Sequence, residues 1–175
     1  MRMNRLALMG AGLMIVVGCI AVATPKPAAV KLQPGELAPI AEKTWHVLRS
    51  GLDRSYKKFS AGGMARVVFL GGSITQNPGW QNKVAAYLKA RFPKTKFDII
   101  NAGIGSTGST PGAFRFENDA LKNGKIDLLF EEAAVNDNHN GRTQTERVRG
   151  MEGIVRHAYT ANPECDVVVM HFAEP

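Results

Sequence analysis

The chain has 175 residues, of which 45% are hydrophobic and 21% charged, and it carries a formal net charge of +7. That is one domain's worth of ordinary globular composition, enough for a single packed core and too apolar for a disordered tail. The basic residues are scattered rather than blocked, which reads as a solvated surface and excludes a nucleic-acid-binding stripe.

The chain opens with Arg2 and Arg5, and Leu6 to Ala23 is uncharged and rich in Leu, Met, Val, Ala and Gly. A basic start before an apolar run reads as an export leader over residues 1–23. Ala21-Val22-Ala23 has the form of a cleavage site, Val16-Val17-Gly18-Cys19 that of a bacterial lipidation box, and an uncleaved anchor is the third alternative. Each places the domain outside the cytoplasm: periplasmic, extracellular or lipid-anchored through Cys19. Pro25, Pro27, Pro34 and Pro39 make residues 24–39 an extended linker. The remaining residues, 40–175, form the domain.

Ile40 to Lys58 reads as partly helical, packed on the domain edge, with no chemistry assigned. The first strand is predicted at Arg66–Leu70. Asn77 then caps a helix with Pro78 in its first position, and Trp80, Val84, Tyr87, Leu88 and Phe92 share one face at helical spacing. A second strand follows at Lys96–Asn101. Thr110 and Pro111 open the next helix by the same device, and Asn123-Gly124 close it. The third strand runs from Ile126 to about Glu132. A helix over Thr145 to Asn162 carries Val148, Met151, Val155, Ala158 and Tyr159 on one side, and the fourth strand is Cys165–Phe172. Cys165, in that apolar strand, is read as a buried inert thiol. The strands are continuously apolar and about 30 residues apart with helices between them, as in βαβ units covered on both faces. The fold class is α/β, a three-layer α/β/α sandwich.

Three stretches fall where these strands end and loops begin. They are Gly71-Gly72-Ser73-Ile74-Thr75, Asn101-Ala102-Gly103-Ile104-Gly105-Ser106 and Ala134-Val135-Asn136-Asp137. In an open parallel sheet the strand C-terminal ends share one crevice, where ligands bind. A serine, a glycine-rich turn and an asparagine amide therefore converge, which is the parts list of serine acyl transfer.

With these motifs in this order the chain resembles the SGNH (GDSL-like) hydrolases from about Arg66 to its C-terminus. The resemblance implies a flavodoxin-like parallel sheet of order 2-1-3-4-5, here 2-1-3-4 without its fifth strand, and hydrolysis of carboxylic esters. Acetyl or short-acyl esters, glycan esters among them, are the substrate class. It makes Ser73 the nucleophile. The oxyanion donors are the Ser73 N–H, a backbone N–H of the Gly105-Ser106 turn and the Asn136 side-chain amide. The family usually has glycine where Ser106 stands, which leaves the second donor open between Gly105 and Ser106. Asp137 is read as a structural cap, and Arg115 with Glu132 as an ion pair beneath the crevice.

The family takes its general base from a late Asp-x-x-His block. These 175 residues contain none. The expectation is a domain that is C-terminally incomplete, inactive alone, with an open edge at its fourth strand. His139 and His171 are the substitute bases to weigh. No cofactor is implied, no metal-ligand spacing occurs, and the partners expected are ester substrates and no nucleic acid. Two alternatives remain. One is a non-catalytic glycan-binding or scaffold protein of the same fold. The other rests on Gly103-Ile104-Gly105-Ser106-Thr107-Gly108, a literal G-x-G-x-x-G, with Glu131 and Glu132 placed to bind a ribose as in a dinucleotide site.

Overall fold

A computed structural model describes residues 47, 49 and 51–172. The leader, the proline-rich linker, Cys19 and the start of the Ile40–Lys58 segment lie outside the described residues. No helix among the described residues is long and apolar enough to cross a membrane.

The elements follow in the order α1 (Asp53–Ala61), β1 (Gly63–Gly71), α2 (Ser73–Gln76), α3 (Trp80–Arg91), β2 (Thr95–Gly103), α4 (Ser109–Asp119), β3 (Leu128–Glu131), a 3₁₀ turn (Ala133–Asn136), α5 (Gln144–Ala161) and β4 (Asp166–Val169). Every strand pair is parallel, in the order β2-β1-β3-β4. The predicted order 2-1-3-4 is the one observed. Among the described residues β1 is central and β2 and β4 are edges.

The apolar run of β1 explains the two covered faces. Side chains alternate along a strand, so Ala65, Val67 and Phe69 point one way, with Phe59 of α1, Trp80 and Leu88 of α3 and Phe92 at the end of α3. Val68 and Leu70 point the other way, onto Phe116, Ile154 and Ala158 from α4 and α5. Cys165 joins this second layer, fully buried, and burial pushes its thiol up to about 12. It is the inert thiol read from the sequence.

Helix starts differ from the sequence reading. Asn77 does not cap the helix after β1. It is the C-cap of the one-turn α2, in an extended conformation, and α3 starts two residues beyond Pro78, at Trp80. Pro111 lies in the first turn of α4, but that helix already starts at Ser109 and stops at Asp119, short of Asn123-Gly124. A proline fits anywhere in a first turn, where its missing N–H has no intrahelical partner to lose, so it marks the turn rather than the residue. The α5 start carries its own signal, a capping box in which Thr143 accepts from the Glu146 N–H and Glu146 accepts from Thr143. Helix α5 buries Gly150, Ile154 and Ala158, while Val148 and Tyr159 are exposed. Gly150 sets that phase, because a side chain there would meet Ser109 Oγ.

Candidate active site

Strand β1 delivers the first motif to the crevice. Its last residue, Gly71, is followed by Gly72, and the chain then turns through α2, closed by Gln76 N–H to Gly72 O at 2.9 Å and Asn77 N–H to Ser73 O at 3.0 Å. Ser73 is thus the first residue of a single helical turn, and it is exposed. Its hydroxyl donates no hydrogen bond among the described residues. So short a helix does not hold itself together, and neighbours fix it. Asn101 of the second motif donates its amide to Thr75 O at 2.8 Å, and the buried Gln81 amide donates to the same carbonyl at 2.9 Å.

The second motif leaves β2 as a β-turn over 104–107, closed by Thr107 N–H to Ile104 O at 3.2 Å. Ser106, its third residue, has φ 60, the left-handed region, and Gly105 does not. Positive φ at that position alone is the type II pattern, which prefers glycine there. Ser106 therefore holds a conformation that glycine takes more easily. The turn is pinned from three sides. Ile104 N–H donates to Gly71 O at 3.0 Å, the Asn140 amide to Ser106 O at 3.1 Å, and Gly105 N–H to Gln76 Oε1 at 2.7 Å. Ser106 N–H makes no hydrogen bond among the described residues.

The third motif forms the 3₁₀ turn after β3. Asn136 is half-buried, and its amide donates to Thr107 O at 3.0 Å. A side chain at Gly72 would collide with that amide nitrogen, so the Asn136 amide lies directly against the turn that carries Ser73. A β-carbon built on Gly105 would stand 3.9 Å from Ser73 Cβ. The structure therefore brings Ser73, the Gly105-Ser106 turn and Asn136 together. Asp137 is fully buried and accepts from the N–H and hydroxyl of Ser109 at 2.8 and 2.6 Å, so it caps α4.

Arg115 does not pair with Glu132. It bonds Asp119 at 2.9 Å and also donates to the carbonyls of Ala102, at 2.6 Å, and Gly71, at 3.1 Å, tying the ends of β2 and β1 together. Glu131 and Glu132 are both fully buried. Glu131 accepts from Ala133 N–H and Glu132 from the Ser73 turn, so neither is presented to a ribose and the dinucleotide reading loses its acid. Burial pushes the Glu131 carboxyl up to about 8 and raises that of Glu132, against the hydrogen bonds from Thr75 and Gly72. His139 and His171 are exposed. His171 lines a recess of about 240 Å³ with Ala134, Val135, Asn138, Arg147 and Phe172. No group of three or more His, Cys, Asp or Glu among the described residues is arranged to hold a metal ion.

Sequence reasoning missed Gln76 as an anchor of this site and gave Glu132 the wrong partner. Gln76 gives no sequence signal, since an exposed glutamine in a turn is ordinary. Glu132 gives one: a carboxylate closing a buried strand needs internal partners.

The chain matches no family model and no curated protein. Among solved structures it is similar to a two-domain esterase (CEX) active on acetylated mannans, co-crystallized with mannopentaose. Their identity is 34% and the TM-score 0.61, over 69% of this chain and 33% of that one. It has the fold of TesA, at 19% identity and TM-score 0.55, over 63% of this chain and 62% of that one. It has that of AlinE4, an SGNH-hydrolase family esterase, at 20% identity and TM-score 0.55, over 65% and 62%. The chain thus spans a third of the length of the mannan-active esterase and under two thirds of the other two. Over the one domain that is matched, the chain has the SGNH, GDSL-like esterase fold.

Proposed function

We propose that this domain is the nucleophile-bearing part of an exported serine esterase that removes acetyl or other short acyl groups, with acetylated glycans as the substrate class. The observation that carries the reading is the convergence of an exposed Ser73, an open Ser106 N–H and the Asn136 amide from three separate strand ends. The similarity to an esterase active on acetylated mannans supports the glycan. Residues 1–23 serve as the export leader and 24–39 as the linker.

Ser73 Oγ attacks the acyl carbon, and its proton passes to a general base. The SGNH resemblance assigns that base to an Asp-x-x-His block, which the 175 residues do not contain. The carbonyl oxygen becomes an oxyanion, held by the Ser73 N–H, the Ser106 N–H and Asn136 Nδ2. Ser106 is the better second backbone donor, since the Gly105 N–H is already committed to Gln76. Collapse of the intermediate expels the alcohol, which takes the proton from the base. Water then cleaves the acyl-serine by the same steps, releasing the carboxylic acid and restoring Ser73. Each donor acts where charge develops, which is where a preorganised hydrogen bond accelerates a reaction most.

The test uses the full natural protein with p-nitrophenyl acetate and acetylated mannan. Ser73→Ala should abolish turnover and leave thermal unfolding unchanged. Wild-type turnover in that variant refutes the assignment, and mannan binding without any hydrolysis by the parent protein favours a glycan-binding scaffold.

A further inference from the structure

We infer that Glu132 is a positioning residue for the nucleophile, a clamp that fixes the Ser73 turn from beneath. The inference rests on the esterase reading and extends it to a residue that does not touch substrate.

Glu132 follows β3 directly, and its N–H donates to Leu70 O at 3.0 Å, which seats it beside the end of β1. It is fully buried. One atom, Oε1, accepts three hydrogen bonds: from Gly72 N–H at 2.8 Å, Thr75 N–H at 3.2 Å and Thr75 Oγ1 at 2.6 Å. Gly72 and Thr75 flank the Ser73-Ile74 pair, so a single oxygen holds both sides of the segment that carries the nucleophile. The space for it is reserved by Gly71, where a side chain would collide with the Glu132 carboxyl. Oε2 has no partner among the described residues.

A carboxyl group in the apolar interior is unfavourable in itself. An apolar side chain in its place would leave two backbone N–H groups and a hydroxyl without an acceptor. What the carboxyl does here is satisfy two backbone donors and one hydroxyl in a one-turn helix that lacks the length to be rigid unaided. Oε1 accepts equally as the oxygen of a carboxylate or of a neutral acid, and a glutamine presents the same acceptor at the same place. Holding a reacting atom is a catalytic contribution even from a distance, because a displacement of about 1 Å can cost a hundredfold in rate.

The experiment measures kcat, KM and thermal unfolding of the full natural protein with p-nitrophenyl acetate, for Ser73→Ala, Glu132→Ala, Glu132→Gln and Thr75→Val. Glu132→Ala should lose about a hundredfold in kcat with KM little changed, and Glu132→Gln should recover most of that loss. Thr75→Val, which removes one of the three donors, should fall between them. Wild-type kcat in Glu132→Ala, or a Glu132→Gln as slow as Glu132→Ala, overturns the inference. If Glu132→Ala does not fold, Thr75→Val decides, and an unchanged kcat there overturns it. If Ser73→Ala still turns over, the esterase reading falls and takes the inference with it. If Ser73→Ala is inactive while Glu132→Ala is not, the inference alone falls.

Discussion

Replacing Glu131 by glutamine should flatten the pH dependence of folding stability between about pH 4.5 and 8. Glu131 ends β3 and is fully buried. Its Oε1 accepts from Ala133 N–H at 2.7 Å, and its Oε2 has no partner among the described residues. Burial raises its pKa from 4.5 to about 8, with the Ala133 N–H working against the shift and the charges of Glu132 and Asp137 adding to it. Between those two values the folded protein keeps a proton that the unfolded chain has released. The folded state then binds more protons, so stability falls as pH rises. The favourable contribution is fully present below pH 4.5 and lost as pH passes about 8. One pH unit inside the window costs at most about 1.4 kcal/mol. Across the window the upper bound is roughly 5 kcal/mol, as large as the whole stability of a marginal domain.

Urea unfolding at pH 5, 6, 7 and 8 reads this directly. The wild-type free energy of unfolding should decline through the series. Glu131→Gln has no proton to lose and should decline much less, keeping only the slope from Glu132, whose pKa burial raises in the same direction. At pH 5 the variant should be the less stable protein, because its amide N–H groups face a buried spot without an acceptor. By pH 8 it should match or exceed the wild type. Two parallel curves would refute the reasoning, since Glu131 would then titrate alike in the folded and unfolded states.

Asn136→Ala should lower kcat by about a hundred- to a thousandfold, the usual effect of deleting one oxyanion donor, and cost about 1 kcal/mol of stability through the lost bond to Thr107 O. A change confined to KM, measured on p-nitrophenyl acetate, would make Asn136 a binding residue. Ser106→Gly should leave the melting temperature within a few degrees of wild type, because relief of about 1 kcal/mol of left-handed strain is offset by the greater freedom of glycine in the unfolded chain. Ser106→Val, branched at the β-carbon, should instead destabilise by more than about 1 kcal/mol, and equal melting temperatures for Gly and Val would refute the turn assignment.

The sheet was legible in the sequence because a strand buried on both faces must be apolar throughout, and Val67–Leu70 is. Its order followed from the motifs at the strand ends, through the resemblance they carry. The helix faces were less legible. In α5 the apolar residues Val148, Met151 and Val155 suggested one stripe, but contact with α4 is made through Gly150, Ile154 and Ala158. A glycine adds nothing to a hydrophobic pattern, yet it permits the closest approach of two helices and so decides which stripe is buried. The capping positions at Asn77 and Thr110 failed for a related reason. Asx and Thr residues beside proline mark helix ends of both kinds, and Asn77 ends a helix that the sequence is too short there to announce.

The site was legible as a set of residue types and illegible in its supports. Ser73, the Gly105-Ser106 turn and Asn136 were recognisable because each stands at a strand end, where position alone assigns it to the crevice. Glu131 and Glu132 also stand at a strand end, and the same argument would aim one of them at a ligand. Adjacent residues of an extended strand point to opposite faces, so at most one of the two should turn inward on each side. Both are buried: β3 stops at Glu131, the chain bends at once into the 3₁₀ turn, and the Glu132 carboxyl lies against Gly71, Gly72 and Thr75 at the end of β1. What separates the esterase reading of the 103–108 turn from the dinucleotide reading is therefore not the glycine spacing, which is the same on paper. It is the direction in which the neighbouring acids point: an acid facing the crevice would repel an oxyanion and bind a ribose, whereas Glu131 is tied to the Ala133 N–H and Glu132 lies beneath the Gly72–Thr75 turn, so neither faces it.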